Sequence, residues 1–150
     1  MQNKTDYIIY TDGGSRGNPG PSALGVVIRN SNGETIEGYG KYLGEGTNNE
    51  AEYKAPISGL KKLRSMIGKK KAKTTRVAMI ADSELMVKQL NGKYKITDSR
   101  MQQLFLELWN LKIDFSEVTF EAVSRAQNKE ADSFVNEALD AENRNGSLFT

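Results

Sequence analysis

Apolar positions along the chain fall into two spacings. Tyr7-Ile8-Ile9-Tyr10-Thr11 is a short continuous run, the mark of a buried strand, and it stops at the breaker Asp12-Gly13-Gly14-Ser15. Gly17-Asn18-Pro19-Gly20-Pro21 extends the break into a tight loop. Residues 23–29 read as a second strand. Asn30-Ser31-Asn32-Gly33 is a turn signal that predicts a hairpin into a third strand over 35–43. Helical spacing then begins. Tyr53, Ile57, Leu60, Leu63 and Ile67 share one face behind the capping region Thr47-Asn48-Asn49. Pro56 lies inside this helix, where its missing N–H costs about 3 kcal/mol, and predicts a kink or a loosened turn.

The second half alternates strands with helices. Residues 68–73 form a basic loop carrying Lys69, Lys70, Lys71 and Lys73. Residues 76–81 form a buried strand ending at Asp82, and 83–90 a short helix that Ser83 caps. Met101, Leu104, Leu108 and Leu111 mark an amphipathic helix, on which Trp109 reads as a core residue. Residues 118–123 give a last strand, and Ala131, Phe134, Val135 and Ala138 a closing helix. The order predicts an α/β fold in one domain, residues 1–142. Its mixed five-stranded sheet joins an antiparallel hairpin meander to parallel strands, with helices on both sides. Residues 143–150 read as a polar, flexible C-terminal tail.

Composition narrows the chemistry more than the fold. The 150 residues hold neither cysteine nor histidine. That excludes disulfides, thiolate nucleophiles, Ser-His-Asp triads and sites built on Cys or His ligands. A net charge of +2 is too small to name a nucleic-acid partner by itself. No apolar run is long enough to cross a bilayer, and Met1-Gln2-Asn3-Lys4-Thr5-Asp6 lacks an apolar signal core. The expectation is a cytoplasmic monomer with no membrane partner.

Carboxylates remain. Asp12 and Asp82 each follow a predicted strand, Glu52 falls in the first turn of the helix after the meander, and Asp132 starts the closing helix. Ligand sites of open α/β sheets lie beyond the carboxyl ends of the strands. If the first and fourth strands are parallel neighbours, Asp12 and Asp82 converge there. Such a pair repels unless cations neutralise it, and hard oxygen-liganded Mg²⁺ or Mn²⁺ is the natural occupant.

These segments resemble a known family. The run from Tyr10 through Asp12-Gly13-Gly14-Ser15-Arg16-Gly17-Asn18 to Pro21 resembles the first signature of type 1 ribonuclease H. Thr47-Asn48-Asn49-Glu50-Ala51-Glu52-Tyr53 resembles its second, Ala81-Asp82-Ser83 its third and Asn128-Lys129-Glu130-Ala131-Asp132 its fourth. The resemblance covers nearly the whole chain in order. It implies a ribonuclease H-like fold and hydrolysis of the RNA strand of RNA/DNA hybrids, leaving 5′-phosphate and 3′-hydroxyl ends. It also implies two Mg²⁺ or Mn²⁺ ions in the active site.

By motif position the resemblance makes Asp12, Glu52, Asp82 and Asp132 the catalytic and metal-binding quartet, with Glu50 the neighbouring acid it passes over. It places Gly13, Gly14, Ser15, Arg16 and Asn18 at the ribose side of a minor groove, where the 2′-hydroxyl separates RNA from DNA. Asn48 and Asn49 resemble base-edge and ribose contacts, and Thr47 part of a DNA phosphate pocket. Each of these three also reads as a plain helix cap.

The histidine that many members carry in the loop before the last acid is missing; Arg125 is the charged residue of that loop and the candidate phosphate contact there, against a reading as a surface residue. No basic protrusion is evident. Tyr94, between Lys93 and Lys95, is the candidate aromatic contact for the DNA strand, against a reading as a solvated loop. Glu84 reads as an exposed first-turn acid. Without the protrusion, added cleavage of double-stranded RNA stays open. Two other classes remain: a non-catalytic hybrid-binding module on the same fold, and a metal-dependent phosphatase for small phosphoesters.

Overall fold

The computed structural model describes residues 4–148, and the side chains of residues 4–144. Five strands, β1 (Tyr7–Ser15), β2 (Gly20–Asn30), β3 (Thr35–Gly46), β4 (Arg76–Ala81) and β5 (Glu117–Ala122), form one sheet in the order β3-β2-β1-β4-β5. β1, β2 and β3 are antiparallel neighbours, while β4 and β5 continue from β1 in parallel. This is the predicted mixed sheet. Five helices flank it: α1 (Asn48–Ile67), α2 (Lys69–Ala72), α3 (Glu84–Leu90), α4 (Ser99–Ile113) and α5 (Lys129–Leu148).

Two strands run past their predicted ends. The glycines after Asp12 read as a break on propensity, yet β1 continues through them because each pairs with β2: Asp12 with Gly25, Gly13 with Leu24, Gly14 with Ala23, Ser15 with Ser22. The parallel ladder to β4 does stop early, at Thr11 opposite Ala81. Asp12 and Asp82 are therefore each the first residue beyond the last parallel rung. β3 likewise runs on to Gly46, paired with β2 as far as Gly20.

The main core lies between the sheet and α1 and α4, with Ile9, Val26, Leu60, Leu63, Met79 and Leu108 at its centre. A thinner layer of Ala23, Val135 and Leu139 sits under α5. It is thin because the strands there carry glycine. A Cβ on Gly25 would strike the Ala131 carbonyl, and one on Gly40 the Phe134 carbonyl. These two positions let the backbone of α5 rest on the sheet, which fixes where its first turn points.

α1 shows the predicted face, with Tyr53, Ile57, Leu60 and Leu63 buried. The helix continues on both sides of Pro56, itself buried, so the proline does not break it. Pro56 has no N–H to offer the carbonyl four residues back, which belongs to Glu52. The basic loop is partly helical: Gly68, at a φ of +88°, turns the chain into α2, which buries Ala72 and leaves its lysines exposed.

Trp109 is not a core residue. α4 buries Leu104, Leu108 and Leu111. Trp109 lies on the flank of that stripe, 37% exposed, stacked on Phe105 at 5.3 Å, with the Lys112 Nζ 4.1 Å over its ring. α5 continues to Leu148, so the backbone of 143–148 is helical where a flexible tail is predicted. The side chains of 145–148 and the whole of 149–150 lie outside the described residues. No helix among the described residues is long and apolar enough to cross a membrane.

Candidate active site

Four elements bring acids to one pocket of about 260 Å³ beyond the ends of β1 and β4. Its lining includes Asp12, Glu52, Asp82 and Asp132. Asp12 comes from β1, and Asp82 from the residue after β4. Glu52 comes from the first turns of α1. That helix sits close to β1 because residue 13 is glycine: a Cβ there would collide with the Ala51 and Glu52 backbone. Asp132 comes from the start of α5, seated on Gly25 and Gly40. Gly14, Ser15, Arg16 and Arg125 complete the polar wall, and Val135 and Leu139 the apolar one.

Electrostatics mark these acids as held against repulsion. Asp12 is raised from 3.8 to about 8, chiefly by burial, then by the charge of Asp82 and by a hydrogen bond and charge from Asp132. Two carboxyl groups can share a hydrogen bond only if one keeps its proton. Glu52 is raised by burial and by the Asp82 charge, against a hydrogen bond from Ser83 and the nearby charge of Arg125. Among the described residues no three acidic side chains are drawn together into a metal cage. A divalent cation bound among them would offset the mutual repulsion of the four carboxylates. The donor set, all hard oxygen, fits Mg²⁺ or Mn²⁺.

Ser15, Asn18 and Asn48, expected on the substrate side, form one hydrogen-bonded corner. Asn48 Oδ1 accepts from the Ser15 N–H at 2.8 Å and from the Ser15 hydroxyl at 3.1 Å. The Asn48 N–H donates to Asn18 Oδ1 at 3.1 Å. The first turn of α1 is thereby bonded to the end of β1 and to the loop after it. Thr47 is the N-cap, in a reciprocal capping box with Glu50. Arg16 lines the pocket and pairs with Asp140 at 2.6 Å. Gly13 serves the packing of α1, whereas a Cβ on Gly14 would meet only the Asn48 amide and Val135 at 3.9 Å, which leaves room for a ligand. Asn49 lies in a small neighbouring cleft that Glu52 also lines. Tyr94 is not brought to the pocket; it is 52% exposed with Lys88 Nζ 5.2 Å over its ring.

Sequence reasoning missed Asn128 as a participant. Only 1% exposed, it donates from Nδ2 to the Thr11 carbonyl at 2.8 Å and to Asp82 Oδ2 at 3.4 Å. One amide thus ties the residue before Asp12 to Asp82. Its signal was available: a polar residue inside the fourth motif, four positions before Asp132. Asn136, one turn beyond Asp132, also escaped notice. It lines the pocket and bonds Asp132 Oδ2 at 3.4 Å.

Comparison with known proteins places these features in a family. Residues 10–138 match the family described as "Reverse transcriptase-like". The chain is 36% identical over 135 residues to the "Bifunctional protein Rv2228c" of Mycobacterium tuberculosis, covering 89% of this chain and 35% of that protein. It is 35% identical over 131 residues to "Ribonuclease HI" of Halobacterium salinarum, covering 87% of this chain and 63% of that one. The chain thus spans about a third of the length of the first curated relatives it matches. The crystal structure of LC11-RNase H1 in complex with RNA/DNA hybrid superposes with a TM-score of 0.85 at 39% identity, covering 91% of this chain and 98% of that one.

Proposed function

Because the chain belongs to the type 1 ribonuclease H family, we propose that it is a metal-dependent endoribonuclease. It hydrolyses the RNA strand of RNA/DNA hybrids and leaves 5′-phosphate and 3′-hydroxyl ends. The observation that carries this reading is the convergence of Asp12, Glu52, Asp82 and Asp132 on one pocket whose rim is Gly14, Ser15 and Arg16. The relative LC11-RNase H1, solved with an RNA/DNA hybrid, supports the substrate class.

The four carboxylates would hold the cations, Mg²⁺ or Mn²⁺, two per site. When bound, the cations supply Lewis-acid stabilisation of the attacking and leaving oxygens. The protein's own groups do the rest. Asn128 holds Asp82 against the end of β1. The Ser83 hydrogen bond and the charge of Arg125 act on Glu52. Asn136 bonds Asp132. Ser15, Asn18 and Asn48 form the polar corner that receives the ribose side of the groove, with Gly14 leaving space for close approach. Thr47, at the N-terminus of α1, lies where a DNA-strand phosphate meets backbone donors and the positive end of a helix.

An end-labelled RNA/DNA hybrid tests this directly, with Mg²⁺, Mn²⁺ or chelator, beside double-stranded RNA, single-stranded RNA and double-stranded DNA. Cleavage confined to the hybrid's RNA strand and lost with chelator is the expected result. Added cut of double-stranded RNA broadens the substrate range. Tight hybrid binding by folded protein without cleavage under either metal sinks the catalytic reading and favours a binding module.

A further inference from the structure

A second cavity, of about 610 Å³ against about 260 Å³ for the acidic pocket, lies between β3, α1 and α4 and shares no lining residue with that pocket. Its two ends differ. β3 runs into the start of α1, so Lys41 of β3 and Lys54 of α1 stand at one end. Arg100 of α4 joins them, since Lys54 and Arg100 both act on Glu50. One turn further along the two helices come Ile57 and Leu104, buried with Leu24 as an apolar floor that Leu43 extends. At the far end Lys61 pairs with Glu107 at 3.0 Å and Lys62 with Glu37 at 3.7 Å, which cancels the charge there. Among the described residues neither Lys41 nor Lys54 makes an ion pair. Arg100 donates only from Nε, to Glu50 Oε2 at 3.2 Å, which leaves its two terminal nitrogens for a ligand.

Five cations against two carboxylates give this lining a net charge of +3, whereas four carboxylates against two arginines give the acidic pocket −2. The occupant is therefore an anion. It is neither a nucleobase nor a peptide. Base edges and peptide groups need hydrogen-bond partners when buried. Here no amide side chain lines the cavity, and the hydroxyls of Tyr39 and Ser58 are closed on each other at 2.6 Å. The apolar floor calls for an apolar body. Between Lys54 and Lys61 α1 rises about 10 Å, which is the length available to it. We propose that this cavity binds a small amphiphilic anion, an oxyanion head on an apolar body. The head lies at Lys41, Lys54 and Arg100, and the body on Leu24, Leu43, Ile57 and Leu104. Such a ligand neither occupies nor blocks the acidic pocket, so the site is independent of the catalytic reading above.

The test is a titration of the ¹⁵N-labelled full chain, read by amide chemical shifts, with octyl phosphate, octanoate, octanol and inorganic phosphate. Expected are saturable shifts confined to residues 39–43, 54–61 and 100–107. Octyl phosphate or octanoate should bind at least about tenfold tighter than octanol or inorganic phosphate, because only they supply both head and body. The tighter of the two identifies the oxyanion. The double variant Lys41→Gln/Lys54→Gln should weaken that binding by about tenfold, the loss of two charge-assisted contacts. Lys69→Gln/Lys70→Gln removes the same charge from α2, outside the cavity, and should leave Kd within about twofold. Octanol binding as tightly as the anions would reduce the cavity to an apolar crevice and overturn the inference. Inorganic phosphate binding as tightly would reduce it to bare surface charge and do the same. Shifts scattered over the chain, no saturation, or equal weakening by the two lysine variants overturn it as well. None of these readings involves cleavage, so their failure is separate from a failure of the ribonuclease reading.

Discussion

At the residue scale the site is a set of charges that the fold holds together at a cost. Asp12 has a folded pKa of about 8 against an ordinary 3.8, chiefly through burial and the Asp82 charge. The fold thus disfavours its ionised form. That penalty is absent below the ordinary value, grows as pH rises and is complete above about 8. Asp12→Asn should therefore raise the melting temperature in chelator-treated buffer, more at pH 8.5 than at pH 5. The same variant should lose RNA cleavage while keeping hybrid binding. A Tm gain equal at both pH values would refute the electrostatic account; retained cleavage by clean protein would refute the site. Asn128 gives the complementary case. Asn128→Ala leaves the buried Thr11 carbonyl without its donor, at a cost of roughly 1–3 kcal/mol by urea denaturation. Asp82 also loses its tether. Turnover at saturating hybrid should fall by more than the fraction unfolded explains; a fall that merely tracks unfolding would make Asn128 purely structural.

At the element scale, glycines decide where helices sit, and helices decide where acids point. Gly13 lets α1 press its Ala51–Glu52 backbone against β1, and Gly25 with Gly40 does the same for α5. Gly13→Ala forces backbone against Cβ with no flexible side chain to give way. The expected outcome is a destabilisation of about 1–3 kcal/mol, typical of an overpacked site. A drop in kcat should accompany it, because α1 carries Glu52 away from Asp12. Urea titration and steady-state cleavage check both; unchanged kcat would mean that the pocket tolerates a shifted Glu52. Pro56 belongs to this scale too. It deprives the Glu52 carbonyl of a helical donor, yet burial of Tyr53, Ile57, Leu60 and Leu63 on the same helix holds the helix through it.

Across the whole molecule, charge is separated from chemistry. α1 starts at the acidic pocket and ends at Ile67, with Lys69, Lys70, Lys71 and Lys73 following. The stretch of helix from Glu52 to Ile67 puts the start of that lysine run about 23 Å from the site along α1. The densest basic cluster is thus remote from the proposed substrate path. Replacing all four with glutamine should leave KM for a short hybrid within about twofold at moderate salt, since screening removes a charge effect over that distance. A large rise in KM on a short hybrid would place nucleic acid along that end of the molecule.

The chain by itself determined the element order, the strand-helix alternation and the four acids. Local spacing encodes each of these: period two or continuous runs for strands, three-to-four spacing for Tyr53 through Ile67, and isolated acids just after buried runs. It also excluded histidine and thiol chemistry outright. Only tertiary pairing decided that β1 runs on through Gly13 and Gly14, because a strand's end is set by its partner's hydrogen bonds and not by its own propensity. Packing alone left Trp109 on a flank and set the backbone of α1 against Gly13. Glu50 turned to Arg100 and Asn128 bridging Thr11 and Asp82 join residues 50, 117 and 46 positions apart in sequence. No local pattern records such pairs, since the contact exists only once the sheet has brought its distant segments to one end.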